Sequence, residues 1–256
     1  EFWTGPRPDL ADVSARLGID THPLEDWSGV TDEELQNTVV LPESDDVFSE
    51  QLRQRRLEKL GPDATQALEE ADAKLAEVLA EARFVKDSYE IGQMREAIEA
   101  THRGFDDILG ALPEAIGHPR GERIVEGAFF QRARREGNDV GYGTIAAAGS
   151  HACILHWVTN DGPVRDNDLL LVDAGVELDS LYTADITRTV PVSGSFSPRQ
   201  REVYLAVLDA ADAAFSIVRP GIPFRAVHDE AMKIIASYAA SWGLLPGSAE
   251  ESLAQD

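Results

Sequence analysis

The sequence predicts an α+β chain, and three changes of texture predict it. Apolar residues recur at helical spacing through residues 46–84 and again from about Ser88 to Glu136. From Tyr142 the pattern shifts to short apolar runs, and two of them, Leu169–Val172 and Leu181–Val190, are joined by Glu177–Ser180 as in a hairpin. Helical spacing returns after Ser197 and lasts to Trp242.

The elements follow in order. Val13–Leu17 is a short helical patch stopped by Gly18. The stretch from His22-Pro23 to Trp27-Ser28-Gly29 carries turn formers and reads as a connection. Asp32-Glu33-Glu34-Leu35 opens a helix, with carboxylates in its first turn. Phe48, Leu52, Arg55, Arg56 and Lys59 continue a polar-apolar helix that Gly61-Pro62 stops. A second helix follows Asp63, with Leu68, Leu75, Val78, Leu79 and Ala82 at helical spacing, and the two are expected to form an exposed pair. A domain junction is expected near Phe84–Asp87. The next helix, Ser88–Leu109, puts Ile91, Met94, Ile98, Thr101, Phe105 and Ile108 on one face, and Gly110–Pro119 reads as a loop. Glu122–Glu136 turns Ile124, Ala128, Phe129 and Ala133 inward and closes at Gly137. Tyr142–Ala147 and Ala152–His156 read as short strands around Gly149-Ser150. Ser197-Pro198 opens a helix running to about Val218, with serine at the N-cap and proline next. A last helix covers about Phe224–Trp242.

Composition narrows the function. The 256 residues carry 46 acidic and 23 basic side chains, a net charge of −23. Nucleic acid and anionic membranes both require a basic footprint, so neither is an expected partner. The excess carboxylates are mainly a solvated surface. No apolar run reaches the roughly 18 residues of a membrane span. A single cysteine, Cys153, forbids an intrachain disulfide framework and points to a reducing, cytoplasmic setting. It reads as a buried small hydrophobe rather than a nucleophile. The chain starts at Glu1-Phe2-Trp3 without an initiator methionine or a basic leader, so its start is expected to lie inside a longer protein.

The informative stretch is Leu169–Pro191. Four apolar residues lead into Asp173, and a carboxylate at the end of a buried strand is costly unless compensated. In the next strand, period-two alternation puts Thr183, Asp185, Thr187 and Thr189 on one face. Asp173 and Asp185 can therefore point from neighbouring strands at one spot. Carboxylates that close together repel unless one is protonated or a cation sits between them. Hard divalent metals favour such oxygens, with Thr187 in reach of a ligand oxygen. Spacing alone equally allows two turn aspartates flanking a hairpin. His156 ends the run Cys153–Trp157 and, taken alone, reads first as a satisfied turn or core histidine. His151, five residues earlier, would sit on the opposite face of a strand. His228 and Glu230 lie inside the last predicted helix and are not promoted.

From about Phe84 to Trp242 the chain resembles the catalytic domain of the aminopeptidase P (Xaa-Pro aminopeptidase) branch of the pita-bread metallopeptidases. The residues that carry the resemblance are Lys86–Ile91 with Met94-Arg95, Tyr142–His156 (YGTIAAAGSHACILH) and Leu169–Tyr204. It implies a pita-bread α+β fold, here incomplete, as residues 85–256. Residues 1–84 would be the end of a smaller N-terminal domain with a helical linker.

The resemblance also implies roles. Asp173 and Asp185 match the first two metal-ligand aspartates of a site for two divalent ions, usually Mn²⁺. His156 matches the catalytic histidine near the scissile bond. Tyr142 matches a substrate-pocket tyrosine, and Thr187 a threonine beside the bridging ligand. The aspartates are twelve positions apart, one more than is common in the family, which an extra residue in the Glu177–Ser180 turn would absorb. A His and two Glu ligands usually follow the helix that ends near Trp242, and the chain stops at Asp256, so two of five expected ligands are present. The implied activity of the complete protein is metal-dependent release of the N-terminal residue from peptides with proline second. The implied partner is that peptide, and a homo-oligomer is expected. Two alternatives stay open: a prolidase acting on Xaa-Pro dipeptides, and a non-catalytic pita-bread module that binds peptides or proteins. Half of such a sheet would also expose an edge and an apolar face.

Overall fold

The computed structural model describes Trp3, residues 5–41 and residues 45–254; the first two residues and the last two, Gln255 and Asp256, lie outside the described part. The chain divides into two compact units, Glu1–Asp87 and Ser88–Asp256.

In the first unit, α1 (Leu10–Leu17) starts at Asp9, whose side chain accepts from Asp12 N in a reciprocal capping box. It ends at Gly18 in the left-handed region. The expected connection at 22–29 contains a 3-10 turn, Leu24–Gly29. Thr31 and Glu34 box the start of α2 (Asp32–Asn37). Then come α3 (Asp46–Leu60) and α4 (Pro62–Ala82), with Gly61 between them and Pro62 at the first helical position. The expectation of an exposed helix pair needs one correction. Arg56 and Asp72 are buried against each other at 2.5 Å. Arg56 also donates to Thr38 O, and Asp72 accepts from Val40 N, so the terminal nitrogens of Arg56 and both oxygens of Asp72 are partnered, while Arg56 Nε is buried without a hydrogen bond among the described residues. Helical spacing marks which side faces a neighbour, but not that a charged pair fills it.

In the second unit, α5 (Ser88–Ala115) runs six residues past its expected end, through Gly110 and Pro113. A proline inside a helix loses one backbone hydrogen bond. Burial of Leu112 and Ala115 in the core offsets that loss. The buried stripe matches the expected one only in part: Thr101 and Ile108 are buried and Phe105 packs against the core, but Ala97, Ala100, Gly104 and Leu112 also face inward, while Ile91 and Ile98 are each 40% exposed. The cause is close packing on α6 (Gly121–Glu136), where Phe129 is fully buried. A Cβ on Gly104 would meet the Phe129 ring at 2.6 Å, so only small residues let the helices approach. The inward-facing Ile124, Ala128, Phe129 and Ala133 of α6 are in or against this core, as expected.

A three-stranded antiparallel sheet lies against these helices in the order β2-β3-β5, from β2 (Ile145–Ala148), β3 (Leu169–Ala174) and β5 (Ile186–Pro191). A two-stranded ribbon pairs β1 (Asp139–Val140) with β4 (Val176–Glu177). Thr101 of α5 accepts from Val176 N and so satisfies a buried strand amide. Leu170, Val172 and Ala174 of β3 join the helix-facing core, which leaves Leu171 and Asp173 on the opposite face. Beyond the sheet lie α7 (Pro198–Ile217), boxed by Ser197 and Gln200, α8 (Phe224–Ser241) and α9 (Ala249–Leu253). Among the described residues β5 pairs only with β3 and is an edge strand. Val207, Phe215, Val218 and Phe224 of the α7–α8 region are exposed.

The turn that links β4 back toward β5 centres on Asp179-Ser180-Leu181. Leu178 N donates to Tyr182 O, and Leu181 N donates to Leu178 O. Leu181 has φ 66°, a left-handed conformation that costs a branched side chain about 1 kcal/mol or more. Its side chain is exposed, so little packing is at stake. Leu181→Gly is therefore expected to raise stability by up to about 1 kcal/mol, read as a higher urea midpoint at unchanged slope.

Candidate metal centre

The central strand sets the geometry. Asp173 of β3 pairs with Ile145 of β2 on one side and with Thr187 of β5 on the other. One refinement to the expected strand is needed, because Asp185 lies just ahead of β5 rather than within it. The register nevertheless continues past the end of the strand, with Glu177 bridging Thr183 and Ala184 N donating to Val176 O. Asp185 is thus the diagonal neighbour of Asp173, on the same face as Thr187. The backbones come very close there. A Cβ on Gly175 would stand 1.5 Å from Ala184 O, so no other residue fits this crossing.

Tyr142 completes the cluster. It follows β1, and its hydroxyl lies 2.5 Å from Asp173 Oδ1 and 3.0 Å from Asp185 Oδ1. Burial, then hydrogen bonding to both carboxylates, pushes its pKa far above the usual phenol value, so it stays a donor. Two carboxylates meeting at one oxygen, at the end of a buried strand, form a hard-oxygen donor set that suits a divalent cation. Among the described residues, no group of three or more His, Cys, Asp or Glu side chains could hold a metal ion, so the donors here are this pair. Thr187 is exposed beside Asp173, with its carbonyl accepting from Arg188.

His156 is placed differently from the expected strand end. Ala152–His156 is not a strand: a 3-10 turn, Gly149–Cys153, follows β2, and His156 lies in the loop beyond it, exposed. Gly149 at φ 56° ends β2, and side chains rather than another strand occupy that strand's outer edge. Asn160, fully buried, accepts from Ala146 N and donates to Thr144 O. Cys153 is consequently exposed rather than buried. Face alternation between His151 and His156 does not apply. His151 instead stacks on Trp157 with ring centroids 4.0 Å apart.

The sequence reading missed Glu122. It sits in the first turn of α6 and is fully buried. Its carboxylate accepts from Ala148 N at 2.8 Å, Gly162 N at 2.7 Å and Trp157 Nε1 at 3.0 Å, and meets His151 Nδ1 at 2.8 Å. Burial pushes its pKa up, but these hydrogen bonds outweigh burial and hold it below the ordinary value. An acidic residue in a first helical turn ordinarily faces solvent, so nothing local marked it. Asn160 did carry a signal, since Asn-Asp-Gly-Pro is a turn sequence and asparagine tolerates its φ of 48°.

Residues 92–250 match the model of metallopeptidase family M24, and the chain belongs to that family. The fold is the family's pita-bread fold. A Streptomyces coelicolor protein named Xaa-Pro aminopeptidase 2 is 45% identical over 255 residues, covering 98% of this chain and 51% of its own length. The Escherichia coli K12 Xaa-Pro aminopeptidase is 30% identical over 265 residues, covering 100% of this chain and 58% of its own. Among solved structures, Pseudomonas aeruginosa aminopeptidase PepP superposes with a TM-score of 0.77 at 30% identity, and zinc-substituted E. coli aminopeptidase P in complex with product gives 0.77 at 28%. Both comparisons cover this whole chain and 58% of the other. The chain thus spans about half the length of the relatives it matches. Among the described residues, no helix is long and apolar enough to cross a membrane.

Proposed function

We propose that the full-length protein carrying this chain is a metal-dependent aminopeptidase that releases the N-terminal residue from peptides with proline in second position. The observation that carries the reading is the convergence of Asp173 and Asp185 on a single oxygen, in a chain 45% identical over nearly its whole length to a protein named Xaa-Pro aminopeptidase 2.

Asp173 and Asp185 are the residues that would hold divalent cations, two ions with Mn²⁺ the leading candidate. Bound there, the cations supply Lewis acidity that polarises the scissile carbonyl and acidifies a water. The protein's own part is positional. Tyr142 orients the two carboxylates by hydrogen bonding and borders the substrate. Thr187, opposite Asp173, is in place to bond a ligand oxygen. His156 presents an imidazole to solvent, where it donates to the carbonyl oxygen of the bound peptide as negative charge develops. The scissile nitrogen belongs to proline and carries no N–H, so the pocket must accept a tertiary amide. Residues 1–84 complete a smaller N-terminal domain, residues 85–256 begin the catalytic one, and the protein is a cytoplasmic homo-oligomer.

Exhaustive chelation of the full-length protein is expected to stop release of the first residue from an Xaa-Pro-Xaa tripeptide, and Mn²⁺ is expected to restore it. A rate unchanged by chelation overturns the proposal. Hydrolysis of an Xaa-Pro dipeptide with the tripeptide left intact would make the protein a prolidase instead.

A further inference from the structure

The loop that carries His156 is held by one buried carboxylate on a different element. Residues 149–162 leave β2, turn, and return beneath the N-terminus of α6. Glu122 meets this loop four times: at its entry through Ala148 N, in its first turn through His151 Nδ1, directly after His156 through Trp157 Nε1, and at its exit through Gly162 N. A carboxylate only accepts, so Nδ1 of His151 carries the proton. The returning segment passes so close that a Cβ on Gly162 would stand 2.6 Å from His151 Cε1 and 2.9 Å from Glu122 Oε2. Asn160 seals the next stretch of β2's edge. Val158, two residues past His156, lies against Gly143, the neighbour of Tyr142, where a Cβ would be 3.3 Å from Val158 Cγ1. His156 itself makes no side-chain hydrogen bond among the described residues and is exposed. The loop is anchored on both sides of His156, at His151 and at Trp157, while Leu155 and the imidazole of His156 face solvent.

We propose that Glu122 is a positioning residue: its buried carboxylate fixes the 149–162 loop in the shape that presents His156 to the substrate. A carboxylate so deeply buried is tolerated only because four donors surround it, and the same four bonds set the path of the loop. The proposal rests on the aminopeptidase reading and on the role given there to His156.

The test is a pair of double-mutant cycles in the full-length enzyme, assayed on an Xaa-Pro-Xaa tripeptide with metal content measured in each variant. Glu122→Gln keeps the shape but turns an NH₂ group toward donors. It is expected to lower kcat by about 10–100-fold, the usual size of an effect transmitted through a supporting shell, with KM within about twofold and metal content unchanged. Trp157→Phe removes the indole donor while keeping an aromatic ring beside His151, and is expected to lower kcat several-fold. In a His156→Ala background both further losses should vanish, because the residue they act through is gone. If the losses multiply with that of His156→Ala instead, Glu122 acts on the fold alone and the proposal fails, while the aminopeptidase reading stands. If His156→Ala leaves kcat at the wild-type value, the role of His156 falls and this proposal with it. Should Glu122→Gln fail to fold, the Trp157→Phe cycle decides in the same way.

Discussion

Asp185→Ala in the full-length protein is expected to cut hydrolysis of an Xaa-Pro-Xaa peptide by about a thousandfold or more while the fold persists. The side chain is exposed and its hydrogen bond is to Tyr142, so its removal leaves the core untouched. What it removes is one of two carboxylates that meet at a single oxygen. A remaining lone aspartate would be a poor ligand set for the proposed divalent ions, whose part would be to lower the pKa of a water. Circular dichroism and bound-metal analysis separate the two effects. The spectrum should match that of the unaltered protein, and the metal content should drop. An Asp185→Ala enzyme with near-normal rates would remove the basis for the proposed function.

Gly175→Ala is expected to destabilise the second unit by about 3 kcal/mol or more, the upper end of overpacking costs. The clash is with backbone, not with the end of a flexible side chain: Ala184 O would be 1.5 Å from the new Cβ and Ala184 C 2.5 Å. Relief requires β3 and the segment ahead of β5 to part, and that movement separates Asp173 from Asp185. The urea midpoint should fall sharply. A Gly175→Ala protein with unchanged stability would mean that the segments bearing Gly175 and Ala184 do not cross so closely.

The contrast between these two residues shows what local pattern carries. Asp173 and Asp185 stood out because each breaks an otherwise apolar or alternating run, and strand alternation is a property of a few neighbouring residues. Gly175 stood beside them in the same segment, but its necessity arises from Ala184 across the hairpin. The helices were legible on similar grounds, through capping residues such as Ser197 and Thr31 and through helical spacing. The facing stripe of α5 is legible in its second half, through Thr101, Phe105 and Ile108, and not in its first, where Ile91 and Ile98 are exposed. The real contact runs along Ala97, Ala100 and Gly104, whose smallness matters only once Phe129 lies opposite. The end of α5 was placed early because glycine and proline weaken a helix on their own, whereas burial of Leu112 and Ala115 outweighs them.

The run Ala152–His156 is the clearest case of competing signals. Apolar residues in sequence suggest a strand, yet Leu155 is 83% exposed and Cys153 is exposed as well. The edge of β2 that such a strand would need is occupied by Asn160 and Glu122. Neither partner is adjacent in sequence, so no window along the chain holds both halves of the decision.

By itself, then, the sequence determined the α+β order of elements, the hairpin, the pair of aspartates and, through its resemblance to aminopeptidase P, the family. Only the tertiary structure decided that Tyr142 joins the two carboxylates, that Gly175 alone fits beneath Ala184, and that Glu122 is the buried anchor of the loop bearing His156. The physical reason is range. Helical and strand periods, caps and turns act over a few residues and are written along the chain. Hydrogen bonds between residues thirty or forty positions apart form only when the helices and sheet bring them together, and a buried carboxylate declares its purpose only when its donors are in place.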